Sequence, residues 1–385
     1  METRKLYLEN PYLTRFTAKV LSCESAGDSF DIVLDQTAFY PEGGGQPADQ
    51  GFLRASAPVF VLDVHEKDGV IRHRCTAALA EGAEVAGELD WGRRFDHMQQ
   101  HSGEHIFSGI LHSLTGFENV GFHMGADCVT VDFSGVVTDE VARQVETLAN
   151  HYIYSDAPVD IQVLDHEQLK TVSYRSKKKI PGDVRIVSFP GADCCACCGT
   201  HVQSAGQVGL IKVLSNQRFR EGSRLEIVSG KRAFDLFGAL HEQNVRISQL
   251  LSAKPMETAA AVERMKNELA AEKLRAAALE ERLTALRAAA YENAGDVLLL
   301  EPEMESDALR RLAVAIGERC GGRCAVFAGG EGSYKYAVRL AADGDERAFA
   351  RELNAALHGR GGGRDGFIQG SCAATEAEIR GFFEK

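Results

Sequence analysis

The first 90 residues alternate apolar and polar positions in short runs, and Gly, Pro, Asp and Ser separate the runs. Residues 30–34 and 59–62 are two such runs of strand-forming residues, as expected for strands with one buried face. Turn-forming residues between the runs allow the chain to reverse direction many times over a short length. We therefore predict a small, β-barrel-like domain over residues 1–90.

After residue 90 the pattern changes to helices mixed with strands. Residues 98–114 and 138–154 are rich in residues compatible with helices, whereas residues 128–133 and 184–189 form short apolar runs typical of strands. This mixture predicts a separate α+β domain over residues 91–232, and α+β is the fold class that we predict for the chain.

Residues 233–293 have the pattern of long helices. Pro255 follows a predicted helix over residues 234–251 and should interrupt it, because proline removes a backbone donor. Beyond it, apolar residues recur at alternating spacings of three and four, with Glu272 at one seam position, which predicts a coiled coil or a helical hairpin. The seam residues are Val262, Met265, Leu269, Ala276, Leu279, Leu283 and Leu286.

The last part of the chain returns to a mixed pattern. Strand-like runs over residues 297–300, 324–328 and 336–340 are interspersed with helical segments over residues 306–318 and 346–357. We predict a C-terminal α/β domain over residues 294–385.

Composition and charge narrow the classes of function. The chain has 385 residues, 44% of them hydrophobic, and it contains no apolar run long enough to span a bilayer. Its first residues lack the features of a secretion signal, so we expect a cytoplasmic protein that does not bind membranes. The net charge of -12 argues against indiscriminate binding of nucleic acid, which depends on neutralising phosphates.

A local basic segment nevertheless lies in the middle of this acidic chain. It is equally compatible with a nucleic-acid contact and with an ordinary solvated charge run. Its members are Lys170, Arg175, Lys177, Lys178, Lys179 and Arg185.

Two pairs of potential metal ligands stand out. His101 and His105 are four residues apart, which places both rings on one face of a helix. Cys197 and His201 have the same spacing, and the ten cysteines of the chain are otherwise spread thinly enough to favour reduced thiols. Nitrogen and sulfur ligands of this kind suit one Zn²⁺ ion, in either a closed structural site or a catalytic one.

The ligand set has alternatives. His97 lies one helical turn before His101, and three further cysteines, Cys194, Cys195 and Cys198, surround Cys197. Residues 101–105 also match the H-x-x-E-H pattern of inverted zinc peptidases, with Glu104 as the general base.

The two ligand pairs together resemble the HxxxH and CxxxH motifs of the editing domain of alanyl-tRNA synthetases and of its freestanding relatives, the AlaX proteins. Editing domains of threonyl-tRNA synthetases share these two motifs. Three further segments resemble the alanyl family: residues 37–46 with Asp49 and Gly51, residues 222–226, and residues 361–365 with Gln369 and Gly370. The last segment is similar to the DHH-associated C-terminal domain of long AlaX proteins.

The resemblance implies a function. A freestanding editor would hydrolyse Ser-tRNA(Ala), with Gly-tRNA(Ala) as a second candidate substrate, and would use zinc. The chain contains nothing similar to the ATP-binding motifs of class II synthetases, so it would edit without aminoacylating. The resemblance also implies that the C-terminal domain contacts tRNA or, with the coiled coil, forms a homodimer.

The resemblance also implies roles for individual residues. His101, His105, Cys197 and His201 would hold the ion, although Cys198 stands where the family usually has glycine. We expect Thr37 to recognise the serine hydroxyl, and Gln46 with Glu104 to complete the catalytic set. The expected substrate-binding residues are Gly43, Gly44, Gly45, Lys178, Arg224 and Arg364.

Three other functions remain open at this point. A non-catalytic tRNA-binding module would hold a saturated zinc ion, and an inverted H-x-x-E-H metallopeptidase would cleave peptides. An editor of threonine tRNA would lack the glycine-rich and C-terminal segments of the alanyl family.

Overall fold

The computed structural model describes residues 2–176, 182–341 and 344–384. It divides into two compact units, Met1–Val245 and Arg246–Lys385. The four domains expected from the sequence remain a prediction.

The first unit contains a closed six-stranded barrel, and two small sheets and two long helices follow it along the chain. Its elements are β1 (Arg4–Lys5), α1 (Leu6–Glu9), β2 (Arg15–Ala26), β3 (Ser29–Leu34), β4 (Gln36–Thr37), β5 (Gly51–Arg54), β6 (Pro58–Lys67), β7 (Val70–Cys75), β8 (Glu84–Leu89), α2 (Trp91–Thr115), β9 (Asn119–Met124), β10 (Val129–Phe133), α3 (Asp139–Tyr154), β11 (Asp160–Leu164), α4 (His166–Leu169), β12 (Val184–Phe189), β13 (Asp193–Ala196), β14 (Ile211–Phe219) and β15 (Gly222–Ser229).

The barrel closes in the strand order β2, β3, β7, β6, β5 and β8, with every neighbouring pair antiparallel. Alternate residues such as Phe16, Ala18 and Val20 of β2 are buried, while Arg15, Thr17 and Lys19 between them are exposed. Closure removes the unpaired edges that an open sheet would expose. The predicted N-terminal barrel is confirmed.

Helix α2 is the central element of the rest of this unit. The Asp90 carboxylate accepts a hydrogen bond from the Arg93 backbone at 3.0 Å, and Gly116 ends the helix with a φ of 73°. Apolar residues such as Ile106 and Phe107 of α2 are buried with residues of α3 and of the sheet β14-β15-β10-β9. The third sheet, β11-β12-β13, packs against α2 through β13. The helices and strands predicted over residues 91–232 are present.

A buried ion pair ties the barrel to α2. The Arg94 guanidinium donates to both carboxylate oxygens of Asp49, and also to the backbone carbonyls of Pro11 and Ala38. Asp49 in turn accepts from the Tyr40 backbone at 2.6 Å. The glycine-rich segment between β4 and β5 is thereby fixed against the helix that bears His101 and His105.

Helix α5 (Gly230–Leu250) crosses from the first unit into the second. The remaining elements are α6 (Thr258–Ala289), β16 (Gly295–Glu301), α7 (Ser306–Gly317), β17 (Gly321–Gly330), β18 (Ser333–Arg339), α8 (Glu346–Ala356), β19 (Gly359–Arg364), β20 (Phe367–Cys372) and α9 (Glu376–Phe383).

The second unit is built on one mixed sheet in the order β16, β17, β18, β20 and β19, in which only β16 and β17 are parallel. Successive residues of β17 face opposite layers. Val326 packs with α7, whereas Ala325 and Phe327 pack with residues of α8 and α9. A buried apolar core therefore lies on each face of the sheet, as expected for the predicted α/β domain.

Helix α6 carries the predicted seam on an exposed face. The helical structure is interrupted between α5 and α6, where Pro255 begins a short 3-10 turn. Val262, Met265 and Leu269 are all more than 40% exposed. The coiled coil remains a prediction. Within the described residues, no helix combines the length and apolar character that crossing a bilayer requires.

Candidate metal centre

The fold brings the two predicted ligand pairs together. His101 and His105 lie on successive turns of α2, and Cys197 and His201 belong to the segment that follows β13. The four ligand atoms all lie within 4.8 Å of one another. The Cys197 Sγ is 3.5 Å from His101 Nε2 and 3.3 Å from His201 Nε2.

The Nδ1 atom of each histidine in this group contacts a neighbouring side chain. Such contacts fix the orientation of a ring and leave the other nitrogen available to a metal ion. The contacts are His101 Nδ1 with Gln46 Oε1 at 2.8 Å, His105 Nδ1 with Asp193 Oδ2 at 2.8 Å, and His201 Nδ1 with Ser102 Oγ at 3.3 Å.

The electrostatics of the group favour a cation. Burial opposes ionisation of the Cys197 thiol, but the charge of His101 and hydrogen bonds from His101 and His105 hold its pKa well below the usual value and favour the thiolate. Burial lowers the pKa of His201 to about 3, which keeps that imidazole neutral. Against the effect of burial, Asp193 and Cys197 raise the pKa of His105. A metal ion would displace the proton that Asp193 and Cys197 stabilise on His105, and the resulting nitrogen and sulfur ligands are those that Zn²⁺ prefers.

Glycine at position 199 allows the two motifs to approach. A Cβ there would lie 2.2 Å from His101 Cε1 and 2.9 Å from Gln46 Oε1, which is closer than packed atoms allow. The neighbouring Thr200 donates its backbone N–H to Gln46 Oε1 at 3.2 Å and accepts from Gln46 Nε2 at 2.9 Å. The loop is therefore packed directly on the side chain that supports His101.

The structure places Gln46 behind the metal-ligand group. Its side chain is fully buried, and both of its polar atoms are occupied by His101 and Thr200. Gln46 therefore supports the His101 ring, and its catalytic role stays a prediction. The sequence could not reveal this, because the partners are distant along the chain.

A cavity of about 520 Å³ opens beside the metal-ligand group. His101, His105 and Cys197 form part of its wall. Gly43 and Gly44 line it as well, whereas Gly45, with a φ of 88°, packs closely against Phe122. The remaining lining residues include Tyr7, Tyr40, Glu104, Asn119, Arg175, Ser176 and Cys195.

Glu104 lies in the cavity wall between the two histidines of α2. Its residue is only 4% exposed, and one carboxylate oxygen accepts from the Ser108 hydroxyl and from the Asn119 amide. It is not one of the four clustered ligands.

Thr37 does not reach the cavity, contrary to its expected role. It is fully buried in the barrel, where its hydroxyl lies 2.8 Å from His73 Nε2 and accepts from the Phe39 backbone at 3.1 Å. His73 Nδ1 lies 3.0 Å from the Ile32 carbonyl, so Nδ1 donates and Nε2 accepts from Thr37. Both partners of the threonine hydroxyl are supplied by the barrel.

Arg224, one of the predicted substrate-binding cations, does not line this cavity. Lys178 lies outside the described residues. Arg224, on β15, makes two hydrogen bonds to Asp132, at 2.7 and 2.9 Å, and lies over the Phe219 ring. Arg364 belongs to the second unit, so its contact with a substrate stays a prediction.

The alternative ligands have other positions. His97 is buried and has a pKa lowered to about 3, mainly by burial, and it lines a separate cavity. Cys198 is exposed. Cys195 lies near His105 and Asp193 and is not part of the four-ligand group. The arrangement of the described residues thus selects Cys197 from the four neighbouring cysteines.

Several side chains that shape this site were not predicted from the sequence. Asp193 and Ser102 support ligand rings, and Asn119 and Tyr7 line the cavity. Ser102 lies inside the H-S-G-E-H segment, and Asp193 immediately precedes Cys194. The others come from elements distant along the chain.

Two family models match parts of this unit. The model described as "tRNA synthetases class II (A)" matches residues 11–93, which contain the barrel. The model described as "Threonyl and Alanyl tRNA synthetase second additional domain" matches residues 184–226, which contain Cys197 and His201.

Curated relatives extend the similarity. The alanyl-tRNA editing protein AlaX-L of Pyrococcus horikoshii is 35% identical over 239 residues, covering 60% of this chain and 58% of that protein. The alanyl-tRNA editing protein Aarsd1-A of Xenopus laevis is 31% identical over 278 residues, covering 68% and 66%. The alanine–tRNA ligase of Pyrococcus abyssi is 33% identical over 395 residues, covering 96% and 42%. The chain thus spans between 42% and 66% of the length of these relatives.

The barrel and the His/Cys group, together with these matches, define a protein of the class that contains the second additional domain of threonyl and alanyl tRNA synthetases. Within this class, the chain belongs to the AlaX-type family of alanyl-tRNA editing proteins.

Proposed function

We propose that this chain is a zinc-dependent editing hydrolase that acts in trans and releases serine from Ser-tRNA(Ala), with Gly-tRNA(Ala) as a second substrate. The observation that carries the proposal is the group of His101, His105, Cys197 and His201 at the wall of a cavity of about 520 Å³. Such a cavity is large enough for an aminoacyl group and part of a ribose.

The position of the group supports catalysis over a closed structural site. Three of its four residues also line the cavity, so an ion held there borders the space that a substrate would enter. Bound zinc would polarise an ester carbonyl or lower the pKa of a water molecule toward ~7. Gln46, Asp193 and Ser102 hold the rings in position, and α2 fixes the spacing of His101 and His105.

The rival metallopeptidase is less well supported. Its pattern expects a carboxylate as the third ligand. Here Cys197 and His201 complete the group, and Glu104 is already hydrogen bonded to Ser108 and Asn119.

The remaining parts of the proposal concern tRNA(Ala). The protein would meet mischarged tRNA in the cytoplasm, with Lys178 and Arg364 contacting the nucleic acid. The exposed seam of α6 would join two copies into a homodimer, with the second unit contributing to the interface.

The test is deacylation of Ser-tRNA(Ala), Ala-tRNA(Ala) and Ser-tRNA(Thr). We expect selective hydrolysis of Ser-tRNA(Ala), and a fall to the uncatalysed rate for His101→Ala and for chelated protein. His65→Ala is the matched control, because His65 is an exposed histidine of barrel strand β6. Wild-type protein that hydrolyses none of the three would support the non-catalytic tRNA-binding module.

A further inference from the structure

Glu104 presents to the cavity a carboxylate oxygen that has no hydrogen-bond donor among the described residues. The Oε1 atom accepts from Ser108 and Asn119. No residue that the structure describes donates a hydrogen bond to the other oxygen, Oε2. A nearly buried carboxylate is stable only when its charge and its lone pairs find partners.

Asn119 adds a second acceptor to the same hydrogen-bonded group. Its Nδ2 donates to Glu104 and lies 3.2 Å from the Ser108 hydroxyl, which orients the amide. Its Oδ1 is buried and has no partner among the described residues. Since Asn119 is 6% exposed and lines the cavity, this acceptor also lacks bulk water.

The cavity-lining cation Arg175 already has a carboxylate partner. Arg175 lines the same cavity, but its guanidinium makes hydrogen bonds of 2.7 and 2.9 Å to the two carboxylate oxygens of Asp193. Asp193 in turn holds His105. Moving Arg175 to Glu104 would therefore release the residue that orients a metal ligand.

We propose that Glu104 and Asn119 bind the α-ammonium group of the aminoacyl ester, an inference that rests on the proposed function. An ammonium group offers three N–H donors and a positive charge, which match two unsatisfied acceptors and a carboxylate. A hydroxyl group offers a single hydrogen and satisfies only one acceptor.

This role separates binding from discrimination. Serine, glycine and alanine esters all carry the ammonium, so Glu104 and Asn119 position the ester without selecting its side chain. Glu104 immediately precedes His105, so an ammonium held there sets the ester carbonyl beside the metal-ligand group.

The test compares two esters that differ only at this group. Seryl-tRNA(Ala) is treated with nitrous acid to give glyceryl-tRNA(Ala), in which a hydroxyl replaces the ammonium and the serine hydroxyl is kept. For Glu104→Gln we expect kcat/KM on the seryl ester to fall about 10- to 100-fold, the range for a hydrogen bond to a charged group. On the glyceryl ester the variant and the wild type should have similar kcat/KM values.

A matched control and a second variant test whether the effect is specific to the ammonium contact. Glu24→Gln removes an exposed carboxylate of barrel strand β2 and should leave both rates unchanged. Asn119→Ala keeps the carboxylate and should reduce the preference for the seryl ester in the same direction. Zinc content measured on each purified protein should equal that of the wild type.

The possible outcomes are distinct. Equal losses on both esters would overturn the inference, because they would assign Glu104 to proton transfer or to recognition of the serine hydroxyl. Unchanged rates on both esters would also overturn it. If wild-type protein hydrolyses neither ester, the proposed function itself fails, independently of Glu104.

Discussion

Two regions of the first unit bury histidines, and they differ in what the ring nitrogens contact. In the barrel, both nitrogens of His73 are used, one by the Ile32 carbonyl and the other by the Thr37 hydroxyl. At the metal-ligand group, His101 and His105 use Nδ1 for a contact outside the group, and the Nε2 atom of His101 faces the Cys197 sulfur inside it. The partner of the second ring nitrogen therefore separates a structural histidine from a candidate metal ligand.

Burial alone does not make this distinction. It lowers the pKa of His73 to about 4 and that of His201 to about 3, so both rings are neutral near pH 7. What differs is the partner of Nε2, which is the Thr37 hydroxyl for His73 and the Cys197 sulfur for His201. The comparison predicts that changes in the barrel alter stability and that changes behind the metal-ligand group alter metal affinity.

The largest expected effect concerns pH and the barrel. An unfolded His73 takes up a proton as the pH falls below 6.5, whereas in the folded barrel it stays neutral down to about pH 4. The stability that neutral His73 contributes is therefore complete above pH 6.5 and is lost between pH 6.5 and 4. The full difference corresponds to about 3 kcal/mol.

The measurement is urea unfolding of wild type and His73→Gln between pH 4 and 7. Fluorescence of Trp91, the single tryptophan, reports on the first unit. We expect the stability advantage of the wild type over the variant to shrink as the pH falls. A constant difference across this range would contradict the structural assignment of His73.

The second largest expected effect concerns zinc affinity at the metal-ligand group. Asp193→Asn weakens the contact that orients His105 and leaves the four proposed ligands in place. We expect zinc affinity to fall about 10- to 100-fold, as is typical when a residue supporting a ligand is changed. Competition with a chelator of known affinity measures the change.

Asp31→Asn is the matched control for this experiment. Asp31 also pairs with an arginine through two hydrogen bonds, at 2.5 and 3.1 Å, but it lies on barrel strand β3. Equal zinc affinity in Asp193→Asn and Asp31→Asn would mean that Asp193 does not support a metal ligand.

The sequence predicted the elements of this fold better than the contacts of its site. Periodicity located α2 and the strands, because local spacing determines which face of an element is buried. The pairing of His101 with Cys197 was also accessible, since the two motifs share a spacing and a chemistry. Periodicity and each four-residue spacing depend on residues that are close together in the chain, whereas the family resemblance joined the two distant pairs.

The contacts of Gln46, Asp193 and Thr37 depend on long-range packing. Gln46 meets His101 only because the barrel is tied to α2, and Asp193 meets His105 only because β13 packs against the same helix. Thr37 stands in a family-like motif, but the motif does not reveal that His73 of β7 occupies its hydroxyl. The family resemblance therefore identified the motif without giving the direction in which its first side chain points.

The smallest expected effect tests Thr37 directly. Thr37→Val removes the hydroxyl that donates to His73 and leaves a buried acceptor unpaired, which should cost about 1 to 2 kcal/mol of unfolding free energy. Because Thr37 does not line the cavity, the ratio of Ser-tRNA(Ala) to Ala-tRNA(Ala) hydrolysis should stay at the wild-type value. The matched control is Thr17→Val, at an exposed position of barrel strand β2. Trp91 fluorescence and deacylation are measured on both variants. A loss of serine selectivity in Thr37→Val with little loss of stability would contradict this prediction. It would mean that Thr37 contacts the substrate and that its contact with His73 opens when the aminoacyl ester binds.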